Sequence, residues 1–238
     1  MSTFHPTTLA CACGQRFEAD VADSLHVSTR ADLRDAILRG VFHRFACPAC
    51  GSAILVEKLF AYTDFDRWHW FTVFPDDHVA RAGECVRFAE DSFHGTVEVN
   101  APPLVKSWAP ALRRRQRVIF GVLALREKLL VLDAELDDRT LEAVKIEWAP
   151  IVGAPLDGPA RLLFERIDGD DLLFAWAERI AAGAPPARAL RVPLEAYQRL
   201  ALDTERARAL APAVFSTTAV DYRLALMPSD LPGLGAEC

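Results

Sequence analysis

The sequence predicts an α+β protein, and three observations support that class. Two turns that contain cysteine and glycine lie within the first 51 residues, next to short runs rich in β-branched and aromatic residues. Apolar residues in the middle of the chain recur at helical spacing. Two β-like runs around an acidic turn open the last third. We therefore expect a cysteine-bearing β unit with an inserted helix, then a helical hairpin, then a β-hairpin with a helix.

The N-terminal unit is predicted to hold one helix between short strands. Residues 15–27 alternate enough to indicate a strand. Thr29 and Asp32 resemble a capping box, and apolar residues then recur at helical spacing as far as Gly40, which suits a left-handed stop. Further β-rich runs follow, with a turn at 64–67 before the last of them: residues 41–46, 52–62 and 68–74.

The middle of the chain is predicted to contain two strands and then two helices. Residues 84–89 and 96–99 indicate strands around a turn at 91–95. A long helix is predicted to begin at Ser107 or Ala109 and to end near Leu132. A second helix is predicted to begin at Asp137 or Asp138, because carboxylates favour the positive end of a helix. We expect these two helices to pack as a hairpin.

The C-terminal third is predicted to form a β-hairpin followed by one more strand and a helix. The hairpin strands are residues 161–167 and 172–177, and residues 181–187 suggest a linker. A strand at 189–192 and a helix at 193–202 follow. We expect residues 1–150 to form one domain and residues 151–238 an α+β extension packed on it.

Composition sets limits on function. The chain has 238 residues, 51% of them hydrophobic and 25% charged, with a net charge of -6, which fits a soluble globular protein. That charge gives no global reason to bind nucleic acid or an acidic membrane. The first 13 residues lack the basic and apolar segments of an export signal, and the longest apolar run, residues 118–125, is too short for a membrane helix. We expect a cytoplasmic protein.

The cysteine pattern indicates a metal site. Cys47 and Cys50 precede Gly51, and Cys11 and Cys13 precede Gly14, so two similar turns flank the predicted helix. A turn of this kind directs backbone N–H groups at the sulfurs, and two such turns meet across one Zn²⁺ in zinc ribbons. The spacing therefore predicts a zinc-ribbon-like unit with a structural Zn²⁺ held by Cys11, Cys13, Cys47 and Cys50.

Two alternatives to a zinc site remain open at the sequence level. A redox dithiol requires its motif at a helix N-terminus, whereas β-like residues lie on both sides here. A metal-free turn is the other alternative, because one residue separates Cys11 from Cys13, and in an extended strand their side chains would point to opposite faces. His5 or His43 could replace Cys11 as a ligand.

The same residues resemble a known family. The segments CACGQRF, SLHVSTRADLRDAILRGVFHRFACPACG and VEKLFAYTDFDRWHWFTVFP, with RVIFGVLALREKLLVLDAELDDRTLEAVK, resemble the CpXC family of bacterial proteins over roughly residues 11–145. Ala10 stands where the first cysteine of the family would fall, and His26 and His43 stand where asparagine is frequent. The resemblance implies a zinc-binding domain and says nothing about activity.

Three classes of function are compatible with the sequence. A zinc-stabilised interaction or scaffold module that binds another protein is favoured, and an enzyme is the third choice because phosphate-loop, GxSxG and HExxH motifs are missing. The candidate groups for an enzyme are Cys85, His69, His94, Asp168, Asp170 and Asp171. Nucleic-acid binding is the second choice, and the basic side chains that would contact phosphates are Arg113, Arg114, Arg115 and Arg117.

Two further expectations argue against nucleic-acid binding. The basic residues of the first predicted helix are expected to pair with acidic residues of the second. The aromatic residues of the N-terminal half are expected in the core rather than on a surface that stacks bases. They are Phe60, Tyr62, Phe65, Trp68, Trp70, Phe71 and Phe74.

Overall fold

The computed structural model describes residues 1–151, 156, 161–177 and 189–227. In these ranges the protein has ten α-helices and three sheets, which confirms the α+β class. The chain divides into two compact units, Met1–Val122 and Leu123–Cys238. The predicted domain division after residue 150 stays a prediction. None of the helices in the described ranges is long and apolar enough to cross a membrane.

The first unit is built on a five-stranded mixed sheet with a separate two-stranded hairpin. Its strands are β1 (Thr3–Ala10), β2 (Arg16–His26), β3 (Arg44–Ala46), β4 (Ala53–Leu55), β5 (Phe60–Asp64), β6 (His69–Phe74) and β7 (Gln116–Phe120). The large sheet has the order β1-β2-β5-β6-β7, and β3 pairs with β4. The neighbours β2 and β5 are parallel, as are β6 and β7, whereas the other pairs are antiparallel.

A two-stranded ribbon extends from this sheet. Strand β2 pairs with β1 from Arg16 to Ser24, but it pairs with β5 only from Ser24 to His26. The ribbon, which consists of β1 and residues 16–23 of β2, therefore has no third strand along most of its length. A two-stranded hairpin is only marginally stable by itself, so contacts at its tip matter.

The helix between the two cysteine turns is present, but its predicted cap is wrong. Helix α1 spans Ala31–Leu38, and Gly40 follows it with φ +70°. A left-handed φ is the conformation that glycine adopts without steric cost, which explains the stop. The hydroxyl of Thr29 donates to the carbonyl of His26 at 3.1 Å instead of capping the helix.

The two strands predicted at 84–89 and 96–99 are wrong, because this segment is helical. Helix α2 spans Ala82–Phe93 and continues as π-helix through His94–Val99. The short helices α3 (Pro103–Ser107) and α4 (Ala109–Arg114) follow. Cys85, Ala89, Phe93 and Val97 are buried and lie four residues apart, so they form one apolar helix face.

The long helix predicted from Ser107 or Ala109 to Leu132 is also wrong. The segment contains α4, then strand β7, and then helix α5 (Val122–Asp133). Gly121 separates β7 from α5 with φ +94°, and its N–H donates to the carbonyl of Phe74 at 2.8 Å. Every residue of β7 is buried. Val118 and Ile119 are β-branched and pack well in a sheet, so pairing with β6 outweighs the helical spacing.

The second unit packs helices on a three-stranded antiparallel sheet. Its strands are β8 (Arg161–Asp168), β9 (Asp171–Ala177) and β10 (Ala189–Pro193), in the order β10-β9-β8. Its helices after α5 are α6 (Asp138–Trp148), α7 (Leu194–Leu202), α8 (Thr204–Leu210), α9 (Pro212–Ser216) and α10 (Arg223–Leu226). The predicted hairpin, the last strand, α6 and α7 are confirmed. The predicted linker at 181–187 lies outside the described residues.

Helix α6 begins where the sequence predicts. The side chain of Asp137 caps the helix and accepts from the backbone N–H of Thr140 at 2.8 Å. Leu141 and Val144 on its apolar face belong to the same buried core as Leu162 and Phe174 of the sheet. The sequence patterns did not predict the last three short helices, α8 to α10.

Four buried charged side chains join α5 to α6. The ammonium of Lys128 lies 2.7 Å from a carboxylate oxygen of Glu142. The ammonium of Lys145 lies 2.6 Å from Glu127 and 3.1 Å from Glu142. Backbone N–H groups of Phe164 and Tyr222 donate to Glu127 and Glu142. We call these four side chains the buried ion network, and they connect the predicted helical hairpin.

Candidate metal centre

Two hairpin turns bring four cysteine sulfurs together in the first unit. The turn from β1 to β2 carries Cys11 and Cys13, and the turn from β3 to β4 carries Cys47 and Cys50. All four sulfurs lie within 4.8 Å of one another. Two short distances cross from one hairpin to the other, with Cys11 Sγ 3.6 Å from Cys50 Sγ and Cys13 Sγ 3.7 Å from Cys47 Sγ.

Backbone hydrogen bonds shape each turn. The N–H of Gly14 donates to the carbonyl of Cys11 at 2.9 Å, and the N–H of Gly51 donates to the carbonyl of Cys47 at 2.8 Å. Cys11 itself donates to the carbonyl of Gln15 at 2.8 Å, which closes the shorter first turn. The one-residue spacing thus lies in a tight turn rather than an extended strand, and both sulfurs reach the same place.

The sulfur positions suit a tetrahedral metal ion. Zinc–sulfur bonds of about 2.3 Å in a tetrahedron place neighbouring sulfurs about 3.8 Å apart. The two short distances across the hairpins are 3.6 and 3.7 Å, so little movement is needed to enclose Zn²⁺. Cys11 and Cys47 are buried, whereas Cys13 and Cys50 are exposed, so the centre lies at the surface with one side covered. The role of the four cysteines as metal ligands stays a prediction.

The thiols influence one another's ionisation. The hydroxyl and the backbone of Ser52, followed by hydrogen bonds from Cys11 and Cys13, lower the pKa of Cys50 to about 6. A backbone hydrogen bond from Cys13 lowers the pKa of Cys11, but hydrogen bonds with the other three thiols and burial raise it to about 12. Because metal ligation requires thiolates, binding of a cation at this site would release protons.

The histidines considered as replacement ligands have other partners. His43 Nε2 accepts from the backbone N–H of Ala22 at 3.0 Å, and its Nδ1 lies 3.2 Å from the carbonyl of Val56. These contacts require Nδ1 to carry the proton. Burial lowers the pKa of His43 to about 4, so the ring is neutral. The ring of His5 contacts Asp23 at 2.7 Å and Lys58 at 2.7 Å.

His43 has a structural role that its position in the sequence does not reveal. Ala22 lies in the part of β2 that no third strand accompanies. The imidazole therefore takes the place of a neighbouring strand by accepting the Ala22 N–H. It connects the segment before β3 to the ribbon, so it helps to bring the two cysteine turns together.

The candidate thiol and histidines of an enzyme lie apart from the cysteine cluster. Cys85 is buried in α2, and burial raises its pKa. His94 is exposed and pairs with Glu98 at 2.8 Å. His69 is buried in β6, where its ring stacks on Phe71 at 4.9 Å between centroids.

The candidate acidic residues form the turn between β8 and β9. Arg191 lies 2.6 Å from Asp168 and 3.3 Å from Asp171. The carbonyl of Asp170 accepts from the backbone N–H of Leu194 at 2.8 Å. These contacts describe a paired hairpin turn.

The four arginines proposed to contact phosphate differ in their surroundings. Arg113 pairs with Glu98 at 2.7 Å and lies over the ring of Phe93 at 4.8 Å. The guanidinium of Arg117 is buried and donates to the carbonyl of Gln116 at 2.8 Å. Arg114 and Arg115 are exposed.

The expected pairing between the basic and acidic runs is found only in part. Lys128 of the basic run pairs with Glu142 of the following acidic run. Arg126, in contrast, pairs with Glu165 at 2.8 Å. The reason is that β7 divides the basic run, so its residues do not share one helix.

The expectation that all seven aromatic residues lie in the core is wrong for Trp68. Its side chain is 38% exposed, and it lines a pocket of about 330 Å³ with Ala111, Arg114 and Arg115. Trp68 has φ 60°, a backbone conformation that nothing in the local sequence indicates. The sequence marks the arginines as part of a run of basic residues, but no local pattern marks Trp68 as exposed.

The hairpin turns and their four sulfurs define a cysteine-knuckle protein of the α+β class. The profile described as CpXC protein matches residues 9–145, more than half of the chain, so the chain belongs to the CpXC family. It is also similar to a protein of Treponema pallidum (strain Nichols) described as "Uncharacterized protein". The two are 25% identical over 226 residues, which cover 90% of this chain and 96% of the relative. No solved structure matches the chain.

Proposed function

We propose that Cys11, Cys13, Cys47 and Cys50 bind one structural Zn²⁺ and that the chain is a zinc-stabilised module that binds another protein. The observation that carries the metal proposal is the pair of short sulfur distances across the hairpins, 3.6 and 3.7 Å. A tetrahedral zinc ion bound to four thiolates requires nearly this arrangement.

The donor set supports a structural metal. Four thiolates complete the tetrahedral shell of Zn²⁺, so no position stays open for a water or a substrate. A redox dithiol is less well supported, because both cysteine pairs lie in hairpin turns rather than at a helix N-terminus. The five described cysteines are free thiols, which agrees with our placement of the protein in the cytoplasm.

The interaction role rests on what the metal would hold in place. It would join the tip of the ribbon to the β3–β4 hairpin, and neither element has a large core of its own. A closed metal site that orders two surface hairpins presents a fixed shape without supplying chemistry. Val41, in the segment before β3, is 52% exposed and offers apolar surface beside this region.

Metal analysis tests the zinc proposal. Freshly purified protein is expected to contain about one equivalent of zinc, and Cys47→Ser is expected to lose most of it. Cys85→Ala is the matched control, because Cys85 is a buried thiol outside the cluster. Replacement with Co²⁺ should give the intense charge-transfer and visible bands of a tetrahedral thiolate site. Less than about a tenth of an equivalent of any metal in the wild-type protein would refute the proposal.

The interaction role needs a separate experiment. Affinity capture from the native host is expected to recover one protein with the wild type and the Cys85→Ala control, but not with Cys47→Ser. Purified components should then form the same complex, with loss of binding after chelation. Failure to enrich any protein over the beads alone would count against the interaction role while leaving the zinc proposal intact.

A further inference from the structure

We propose that the pocket lined by Trp68, Ala111, Arg114 and Arg115 binds a nucleotide, with the base stacked on Trp68 and the phosphate held by the two arginines. This nucleotide pocket lies in the first unit, and it involves none of the cysteines. Its volume of about 330 Å³ is within the range usual for small-molecule sites.

The strained backbone of Trp68 is the first observation. A φ of 60° places a bulky residue in the left-handed region, where its Cβ crowds the backbone. Strain of this kind persists where the surrounding structure imposes it, and it occurs frequently at binding sites. Trp108 supports the ring through an edge-to-face contact of 5.9 Å, and Phe65 supports Trp108 at 5.6 Å. These contacts fix the position of the indole ring of Trp68, although the ring is partly exposed.

The uncompensated charge of Arg114 and Arg115 is the second observation. Within the described residues, neither guanidinium has an ion pair or a side-chain hydrogen bond, although the neighbouring Arg113 pairs with Glu98. The protein as a whole carries a net charge of -6, so two adjacent exposed cations without acids are a local exception. Arginine is well suited to phosphate, because its planar group donates two parallel hydrogen bonds.

These two features together favour a nucleotide over a simple anion. An inorganic phosphate would use the arginines but leave the tryptophan without a role, whereas a base supplies an aromatic face for stacking. The nucleotide has two possible sources, a free mononucleotide and one unit of a single-stranded nucleic acid. Both offer the same base and phosphate, so the experiment includes both.

Binding measurements test the nucleotide pocket. The full-length protein, as purified, is titrated at low salt with adenosine monophosphate and with a short fluorescein-labelled single-stranded RNA. Saturable binding of at least one probe is expected. Trp68→Gly and the double variant Arg114→Ala/Arg115→Ala should each weaken it roughly tenfold or more. Arg113→Gln and Phe88→Ala are controls, because Arg113 is already paired and Phe88 is an exposed aromatic residue of α2.

A stability measurement separates lost binding from misfolding. Trp68→Gly should keep most of the thermal stability of the wild type, since glycine adopts a φ of 60° without strain. Similar affinity for both probes would support a mononucleotide site. Much tighter, salt-dependent binding of the RNA would support a strand. The proposal is overturned if neither probe binds at low salt, or if Arg113→Gln weakens binding as much as the double variant.

Discussion

At the residue scale, the backbone strain at a left-handed glycine of the cysteine turns can be measured separately from side-chain packing. Gly51 has φ +73°, and a Cβ added there would meet nothing within 4 Å. Any loss on substitution by alanine therefore comes from backbone strain, which costs about 1–2 kcal/mol. We expect Gly51→Ala to lower the free energy of unfolding by about that amount, measured by urea denaturation.

A second glycine provides the matched control for this prediction. Gly95 also has open space around its Cβ position, but its φ is not left-handed. Because alanine restricts the unfolded chain, Gly95→Ala should be neutral or stabilising by up to about 1 kcal/mol. Equal destabilisation by both substitutions would show that strain in the cysteine turn is not the cause.

His43 gives the protein a predictable response to acid. Its pKa in the fold is about 4, below the ordinary value of 6.5, because burial disfavours the charged ring. Between these values the unfolded chain binds more protons than the folded one, so the free energy of unfolding falls as the pH falls. For this group alone we expect a loss of about 2 kcal/mol between pH 7 and pH 5.

The comparison that isolates His43 uses two histidine variants. His43→Ala should lose about 2 kcal/mol at pH 7, because the buried N–H of Ala22 loses its acceptor, and its stability should then depend less on pH. His94→Ala is the control, because His94 is exposed. The contribution of His69 is common to all three proteins and cancels. An unchanged pH dependence in His43→Ala would contradict the assignment.

The sequence predicts the roles of some of these residues but not of others. Cysteine and glycine spacing predicts the two turns, because only a few side chains bind soft metals and only glycine adopts a left-handed φ without cost. The role of His43 depends on where β2 leaves the sheet, and Trp68 owes its exposure to the turn before β6. The role of His43 and the exposure of Trp68 both depend on tertiary structure, so no local sequence pattern predicts them.

At the element scale, the buried ion network makes α5 and α6 interdependent. Glu142 accepts from Lys128, Lys145 and the backbone of Tyr222, and both lysines are almost fully buried. Removing its charge leaves two ammonium groups facing Glu127 alone. We expect Glu142→Gln to lower the free energy of unfolding by about 3–5 kcal/mol, measured by chemical denaturation.

A partly exposed ion pair on the same helix is the comparison for the network. Glu147 pairs with Arg206, whose side chain is largely exposed. Such pairs contribute about 0–1 kcal/mol, so Glu147→Gln should have a small effect. If Glu142→Gln and Glu147→Gln lower the free energy of unfolding equally, burial does not determine the stability that the network contributes.

The elements that sequence patterns misassign share a physical cause. The apolar residues of β7 follow helical spacing closely enough to extend a helix, but a partner strand is available in β6, and pairing removes Val118 and Ile119 from water. In α2 the opposite holds. The composition favours strands, but buried apolar residues recur every four positions and form one face of a helix. Elements such as α6, whose start is marked by a capping aspartate, are predicted well because the signal is local.

At the scale of the whole molecule, metal removal should act on one unit. Chelation is expected to speed hydrogen exchange roughly tenfold or more in β3, β4 and the ribbon, because a metal would be the main link between their ends. Strands β8, β9 and β10 belong to the other unit, so their exchange should stay the same. Hydrogen–deuterium exchange with mass spectrometry measures both regions in one sample. Equal acceleration in both units would contradict this prediction.

The ribbon also has a consequence for how copies of the protein behave together. Strand β1 is the outer strand of its sheet, and such edges can pair with strands of other chains. Pro6 removes one donor from this edge, and a fixed ribbon tip holds the strand in place. Once the tip is released, the same strand becomes a free template for intermolecular pairing. Loss of metal would then be seen first as concentration-dependent aggregation, before the sheet itself unfolds.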